Sequence, residues 1–554
     1  MNGLVMLILS AAVLLLAYLF YGKYLVNKWG IDPNKKTPAY EFEDGVDYVP
    51  APPSVVFGHQ FASIAGAGPI NGPIIAAMFG WVPVLLWVVF GGIFFGAVQD
   101  LAALYASVKN KGKTIGYVIE LYIGRTGKNL FLIFVWLFSI LVVAAFADIV
   151  ASTFAGFDAA GAKVEANAAV ATTSMLFIAA AIILGIFIRK VKTNQIVQGA
   201  VAIIFLAVCI TLGIFYPIYV SRNIWLYVVF IYIFCASVAP VWALLQPRDY
   251  LNSFLLVAMI LAAFIGIIFT APSIHLPAFS GWIVNGQYLF PILFVTVACG
   301  AVSGFHSLVA SGTTSKQISK ETQILPISYG SMLVESLLAV IALIAVGALA
   351  VDGKMPAGTP PQIFAGAVAG FLAKLGISSE VSYTLITLAI SAFALTSLDS
   401  VARVGRLAFQ EFFISETGGA EGPIVKFFSN TITATVLTLL LGYILARVGY
   451  QNIWPLFGSA NQLLAALSLI ACAVFLKRTK RQGAPLYIPM CAMLVITFTA
   501  LFFTIKSKWN MLFSTETAFS FTADGLQLIF AILLLILGII VAADGFSKLR
   551  KRAQ

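Results

Sequence analysis

The chain has 554 residues, of which 61% are hydrophobic and only 10% are charged. Soluble domains carry about 25% charged residues, because their surface must face water. Together with a mean hydropathy of +0.99, this composition excludes a soluble globular protein. It predicts an all-α polytopic membrane protein, since each crossing of the bilayer needs roughly 20 apolar residues.

The net charge of +11 does not indicate nucleic-acid binding. The basic residues lie in short segments between apolar runs, which is typical of topology signals. The five cysteines lie within apolar runs without a CxxC pair, so we expect small buried side chains rather than disulfides or metal ligands. The sequence has no GxxxxGK[ST] phosphate-binding loop, and it predicts neither an enzyme nor a bound cofactor.

Fifteen apolar segments are long enough to cross the membrane. Their approximate limits are 2–21, 54–79, 81–108, 129–153, 169–188, 196–219, 224–246, 250–271, 288–312, 326–351, 383–408, 428–447, 456–476, 485–505 and 523–545. The stretch 360–378 is also apolar but short and rich in Gly and Ala. We expect it to be an interfacial or re-entrant helix.

The basic residues predict the orientation of the chain. Alternate loops assign 26 of the 33 Lys and Arg residues to one side and seven to the other. The richer side is expected to be cytoplasmic, which places the N-terminus outside and the C-terminus inside. The chain then divides into an N-terminal span with a basic loop (1–50), a transporter core (51–410) and C-terminal spans with a basic tail (411–554).

The second apolar segment contains helix breakers in the stretch FGHQFASIAGAGPINGP, residues 57–73. Pro69 and Pro73 lack an N–H, and each frees a carbonyl one turn earlier. Such a break survives in a membrane only where protein or a polar cavity covers it, and secondary transporters build substrate sites in this way. The alternative is a kinked structural helix packed through small residues. The predicted substrate-binding residues are Gly66, Ala67, Gly68 and Pro69.

Two further segments carry polar or interrupted stretches. CASVAPVW at 235–242 lies five segments after the first break, the spacing of an inverted five-helix repeat, so we expect Ser237 and Pro240 to line the same site. CGAVSGFHS at 299–307 adds Ser303 and His306. The serines of this segment recur every four residues, so their hydroxyls either line a polar path or bond back to helix carbonyls.

Four carboxylates lie within apolar segments: Asp100, Asp148, Glu335 and Asp399. Such groups are costly at membrane depth and are functional candidates by default. Asp399 also has Arg403 one helical turn away, which offers the alternative of a structural ion pair. Carboxylates and imidazoles at similar depth are typical of a proton relay. The predicted coupling residues are His59, Asp100, Glu335 and Asp399.

Six long motifs resemble one known family. They are FGHQFASIAGAGPINGP, GAVQD (96–100), PVWALLQPRDY (240–250), ACGAVSGFHSLVASGTT (298–314), TSLDSVARVGR (396–406) and IWPLFGSANQLLAAL (453–467). They are similar to motifs of the carbon starvation protein A (CstA) family, prokaryotic inner-membrane proteins linked to the uptake of peptides and, in some members, pyruvate.

The resemblance implies a distant relation to the amino acid–polyamine–cation group, with a LeuT-like 5+5 inverted repeat, discontinuous helices and extra spans at both ends. In that scheme the second apolar segment is repeat helix 1, the seventh is helix 6 and the ninth is helix 8.

We therefore expect a transporter of the inner membrane that imports a peptide or pyruvate by alternating access, coupled to protons or another cation. Two alternatives stay open: an ion or solute channel, and a membrane metal or redox protein that uses His59 and His306. The sequence does not choose between peptide and pyruvate, and it leaves open the coupling ion and a possible oligomer.

Overall fold

The computed structural model describes residues 1–45, 48–158, 160–191, 195–239, 245–413, 422–481, 483–513 and 519–550. These residues are mostly helical, and the strands among them form one short antiparallel hairpin, Ile283–Val284 with Gln287–Tyr288. This composition of secondary structure confirms the predicted all-α class.

Eleven helices lie in the first 215 residues. They are α1 Gly3–Ala17, α2 Lys23–Trp29, α3 Pro38–Glu41, α4 Pro53–Ile64, α5 Gly68–Ala76, α6 Trp81–Leu86, α7 Ala97–Lys109, α8 Ile115–Tyr122, α9 Arg125–Thr153, α10 Glu165–Lys190 and α11 Gln195–Phe215. Wider π-helical turns at Tyr18–Gly22 and Trp87–Gly96 join α1 to α2 and α6 to α7. Each joined pair therefore crosses as a single span.

Twelve more helices follow in the described part of the chain. They are α12 Arg222–Val238, α13 Leu245–Thr270, α14 Leu289–Thr296, α15 Phe305–Gly312, α16 Ser331–Leu349, α17 Pro360–Ala373, α18 Ser379–Phe413, α19 Pro423–Ser429, α20 Thr431–Ala446, α21 Tyr450–Arg478, α22 Ala484–Leu512 and α23 Leu526–Arg550. A π-helical turn, Leu325–Gly330, leads into α16.

The described helices account for the predicted membrane segments. Ten are long and apolar enough to cross a membrane, and the count is twelve when each of two bent pairs is one span. The shorter apolar helices at 222–238 and 254–270 and the interrupted segment 289–312 correspond to the other three predictions. Helix α17 has 14 residues, or about 21 Å, which is too short for a bilayer core of about 30 Å.

The chain forms two compact units. The first unit contains Met1–Leu4, Ser139–His275 and Ile344–Asn452, and the second contains Val5–Phe138, Leu276–Leu343 and the chain from Ile453 onward. The second unit thus holds the interrupted spans α4–α5 and α14–α15.

The order of elements repeats along the described chain. From α4 it runs as an interrupted span, a span, the short helix α8, and the spans α9, α10 and α11. From α14 it runs as an interrupted span, a span, the short helix α17, and the spans α18, α19–α20 and α21. Seven crossings separate the two starting points, so the two series run in opposite directions, as the predicted 5+5 inverted repeat requires.

The predicted position of repeat helix 6 was wrong. The sequence assigned it to 224–246, whereas the second series begins at Leu289. The physical reason is that α12 and α13 lie between the two repeats in the chain. The proline that follows α12 gives this part of the sequence the pattern of an interrupted span.

The close packing of α21 against α14 in the second unit can be tested by a substitution at Gly458. A Cβ added there would lie 1.9 Å from the carbonyl oxygen of Val295 on α14. Because backbone must move, we expect Gly458→Ala to lower the free energy of unfolding by about 1–3 kcal/mol, measured as a lower Tm. The control is Gly370→Ala on α17, where nothing lies within 4 Å, and we expect an unchanged or slightly higher Tm. Equal effects would contradict this packing.

Candidate functional site

The span 53–79 is interrupted where the sequence predicts it. Helices α4 and α5 meet at an angle of 44°. Ala65 leaves the helical conformation with φ −76° and ψ 56°, and the N–H of Gly66 turns back to the carbonyl of Ile64 at 2.8 Å. The backbone between the two helices is therefore open in the interior of the second unit.

The start of α5 has two backbone donors that the described protein does not use. Neither the N–H of Ala67 nor that of Gly68 has an acceptor among the described residues, and Pro69 has no N–H. The carbonyl of Ala67 accepts from Asn71 at 3.0 Å, which begins the helix. Because a helix N-terminus is electropositive, these donors suit an anionic group.

The second interruption separates α14 from α15 at residues 297–304. The last carbonyls of α14 accept hydrogen bonds from indole and amide groups of other helices. The bonds are Trp87 Nε1 to Phe294 O and Val297 O, both 3.2 Å, Gln462 Nε2 to Phe294 O, 2.6 Å, and Trp454 Nε1 to Thr296 O, 3.1 Å. Protein donors thus satisfy the carbonyls that this break frees.

Asn461 on α21 occupies the N-terminus of α15. Its side-chain oxygen accepts from the N–H of Phe305 at 3.1 Å, and its carbonyl accepts from the N–H of Gly304 at 3.0 Å. Its amide nitrogen donates to Ser303 Oγ at 3.0 Å and approaches Cys299 Sγ at 3.6 Å. A protein amide therefore takes the place that an anionic ligand could take at this half-helix.

The two interruptions pack directly against each other. A Cβ added at Gly68 would lie 2.4 Å from Cys299 Sγ, and one added at Gly72 would lie 2.7 Å from the carbonyl oxygen of Thr296. Only glycine permits this approach, so the open backbone of α4–α5 and the closed backbone of α14–α15 form one site within the second unit.

A buried cluster of acid and imidazole groups adjoins this site. His306 Nδ1 lies 2.9 Å from Asp100 Oδ2, and His306 Nε2 lies 3.2 Å from Glu335 Oε2, with all three side chains fully buried. With its amide oriented towards acceptors, Gln99 donates to Asp100 Oδ1 at 3.0 Å and to the carbonyl of Ser303 at 2.9 Å. Gln99 thus connects the cluster to the second interruption.

The cluster is suited to holding and releasing protons. Unit charges about 4 Å apart interact by about 4 kcal/mol at the effective dielectric constant of protein interiors. The protonation states of Asp100, His306 and Glu335 therefore depend on one another, and the three groups titrate as a unit. With His306 protonated and both acids ionised the cluster carries one negative charge, which a single further proton neutralises.

Asp399 lies in the first unit, and its ion-pair partner is not Arg403, the basic residue one helical turn away. Arg248 forms a buried ion pair with Asp399, and Tyr232 Oη donates to its carboxylate at 2.8 Å. Arg248 lies 151 residues earlier in the chain, whereas the sequence pointed to Arg403. The structure thus favours a structural ion pair, and a coupling role for Asp399 stays a prediction.

The remaining predicted residues lie outside the cluster. Ser237 is buried in the last turn of α12, in the first unit, and Pro240 lies outside the described residues. His59 is half-buried on α4. Their roles stay predictions.

The regularly spaced serines bond back to helix carbonyls. Ser307 Oγ donates to Gly304 O and Ser311 Oγ donates to Ser307 O, both at 2.6 Å. The structure therefore confirms the second interpretation for Ser307 and Ser311, whereas Ser303 pairs with the side chain of Asn461.

Sequence reasoning missed Gln99 as a connecting residue and did not assign partners to Asn461 and Gln462. The available signal was a polar pair within the otherwise apolar α21, and a glutamine directly before a buried acid. Neither signal names the distant partners, because the bonds of Asn461 to Phe305 and of Gln462 to Phe294 join residues more than 150 positions apart.

Two tryptophans provide a matched test of how the second interruption is held. Trp454 Nε1 donates to Thr296 O at 3.1 Å, whereas Trp225 is equally buried but its Nε1 has no acceptor among the described residues. Trp454→Phe leaves a buried carbonyl unsatisfied, so we expect it to cost about 1–3 kcal/mol more than Trp225→Phe. Thermal unfolding of both purified variants measures the difference, and equal losses would contradict this role.

Two solved structures match the chain at low sequence identity and with TM-scores below 0.5. The manganese transporter of Eremococcus coleocola, in complex with an aromatic bis-isothiourea compound, is 12% identical with a TM-score of 0.44, covering 91% of this chain and 99% of that one. MhsT in complex with L-phenylalanine is 13% identical with a TM-score of 0.48, covering 89% and 98%.

Relatives in sequence are similar over nearly the whole chain. The peptide transporter CstA of Escherichia coli (strain K12) is 31% identical, over 94% of this chain and 83% of that protein. The peptide transporter CstA of Bacillus subtilis (strain 168) is 30% identical, over 99% and 97%. The pyruvate/proton symporter BtsT of Escherichia coli (strain K12) is also 30% identical, over 87% and 78%.

The family comparison agrees with these relatives. Residues 2–358 and 353–500 match the family described as carbon starvation protein CstA. The resemblance inferred from the six motifs is thereby confirmed, and the chain belongs to the CstA family of membrane proteins.

Proposed function

We propose that the chain is a secondary transporter of the inner membrane that imports a small carboxylate-bearing nutrient together with protons, by alternating access. The observation that carries the proposal is an interrupted span with free N–H donors that packs against a second interruption, to which Gln99 links a buried acid–imidazole cluster. Peptides and pyruvate, which the names of the relatives specify, both carry a carboxylate. The proposed orientation has the N-terminus outside and the C-terminus in the cytoplasm.

The proposed substrate contact is the start of α5. The N–H groups of Ala67 and Gly68 have no acceptor among the described residues, and they lie at the electropositive end of the helix. Gly66 and Pro69 shape the same turn. We assign the substrate carboxylate to α5 rather than α15, because Asn461 already accepts from the first N–H groups of α15.

The proposed coupling site is the cluster of Asp100, His306 and Glu335. A proton that binds there changes the charge and the hydrogen bonds of Asp100. Gln99 bonds to both Asp100 and Ser303, so the change reaches the interruption that packs on the substrate site. Coupling requires the protonated and deprotonated states to prefer different conformations. Ser237, Pro240, His59 and Asp399 remain candidates for contacts made elsewhere in the cycle.

Neutralising one acid tests the coupling. We expect Asp100→Asn to abolish accumulation driven by an imposed pH gradient in proteoliposomes, because the cluster loses an ionisable group. Exchange of labelled for unlabelled substrate, which needs no net proton movement, should persist. The control is Asp148→Asn, a buried acid of the first unit that accepts from Arg222 Nε at 2.8 Å, and it should keep gradient-driven uptake. Gradient-driven accumulation by the Asp100 variant would refute the assignment.

Removing one backbone donor tests the substrate contact. Ala67 has φ −69°, which suits proline, so Ala67→Pro deletes the free N–H without breaking a bond within the described protein. Loss of a charge-assisted hydrogen bond, about 1.5–3 kcal/mol, should weaken binding of a carboxylate substrate about 10- to 100-fold. Ala67→Gly keeps the N–H and should retain binding. Isothermal titration with pyruvate and with a dipeptide measures both, and unchanged affinity in the proline variant would exclude the contact.

A further inference from the structure

The C-terminus of α12 is held by two arginines of α18, all within the first unit. Arg403 Nη2 donates to the carbonyls of Ala236 and Ala239, each at 2.9 Å. Arg406 Nη1 donates to the carbonyl of Ser237 at 2.6 Å. These acceptors are the last carbonyls of α12, so the guanidinium groups cap that helix.

The cap leaves positive charge unbalanced. A helix C-terminus carries about half a negative charge, whereas Arg403 and Arg406 together carry two full positive charges. Asp399, one helical turn before Arg403 on α18, attracts Arg403 but forms its ion pair with Arg248, so a single carboxylate is set against three positive charges. Within the described part of the chain no carboxylate forms a salt bridge with either arginine. Arg406 is 9% exposed and Arg403 is half-buried, so water screens the charge of Arg406 less than that of Arg403.

Three hydrogen-bond donors beside the C-terminus of α12 also lack acceptors. The Nε atoms of Arg403 and Arg406 and the hydroxyl of Ser237 are buried without a hydrogen-bond partner among the described residues. Buried donors are nearly always satisfied in proteins. The five residues after this turn, PVWAL at 240–244, contain no acidic side chain. The adjoining sequence therefore supplies no negative charge to balance the two arginines.

We propose that Arg403, Arg406 and Ser237 form a binding site for an anionic group with two or more oxygens. Guanidinium groups match carboxylate and phosphate oxygens in a two-pronged geometry, and one such anion balances the charge and accepts from the free donors. Its source is the carboxylate of a small acid or the phosphate of an acidic lipid. The site shares only Ser237 with the residues of the proposed function, and it uses no residue of α5 or of the acid–imidazole cluster.

The test is the thermal unfolding of the full-length protein in a neutral detergent. Sodium phosphate is titrated against sodium chloride at constant ionic strength. We expect a saturable rise in the Tm of the wild type, since a ligand that binds the folded state stabilises it. The rise should be lost in Arg403→Gln/Arg406→Gln and weaker in Arg403→Lys/Arg406→Lys, which keeps the charge. Arg447→Gln, at an exposed arginine of the same unit, should respond as the wild type does.

Parallel titrations distinguish the sources of the anion. Short-chain phosphatidylglycerol tests a lipid phosphate, and pyruvate tests a carboxylate, the latter in an Ala67→Pro background so that the α5 site does not contribute. If the double glutamine variant does not fold, Ser237→Ala and Arg406→Lys replace it, and each should weaken the response. An equal response of the wild type and the arginine variants, or no saturable response to any of the three probes, would overturn the proposal.

Discussion

Backbone N–H and C=O groups inside a membrane must find their partners within the protein, because hydrocarbon offers none. The second unit interrupts two spans and meets this constraint differently at each. Around residues 297–304, indole and amide groups bond the freed carbonyls, and Asn461 bonds the freed N–H groups. Around residues 65–68, the N–H groups of Ala67 and Gly68 have no partner in the described protein. The protein itself satisfies the interruption at 297–304, whereas the interruption at the start of α5 leaves donors that a ligand can use.

The placement of the acid–imidazole cluster follows from the same constraint. Asp100, His306 and Glu335 are fully buried, and such groups are costly in a membrane unless each satisfies another. These three groups satisfy one another beside the interruption at 297–304, where α15 begins at Phe305. A change in their protonation therefore acts on backbone that hydrogen bonds from Trp87, Gln99 and Asn461 hold in place. Substrate binding and proton binding thus use neighbouring parts of one packed unit.

The sequence predicted the first interruption because its cause is local: Pro69 lacks an N–H, and Gly66 and Gly68 stand just before it. It misplaced the second because the cause there is tertiary. The stretch CGAVSG contains no proline, and its break depends on bonds from Trp454 and Asn461, more than 150 residues away. The proline near residue 240 was the stronger local signal and drew the assignment to the wrong helix.

The same distinction explains the charged residues. The burial of Asp100 and Glu335 was predictable from the apolar sequence around them, but their shared partner His306 was not, since the three lie on different helices. For Asp399 the helix spacing suggested Arg403, whereas the fold supplies Arg248 from α13. Spacing along one helix finds partners within a turn, and partners on other helices follow only from the packing.

The central claim is that one interruption binds the substrate and the other is closed by the protein. An experimental structure of the full-length protein with bound pyruvate, or with a bound dipeptide, tests it most directly. The predicted result is a carboxylate with oxygens at about 3 Å from the backbone nitrogens of Ala67 and Gly68, while Asn461 still bonds Phe305. A carboxylate bound at the start of α15 in place of Asn461, or one that contacts neither helix start, would contradict it.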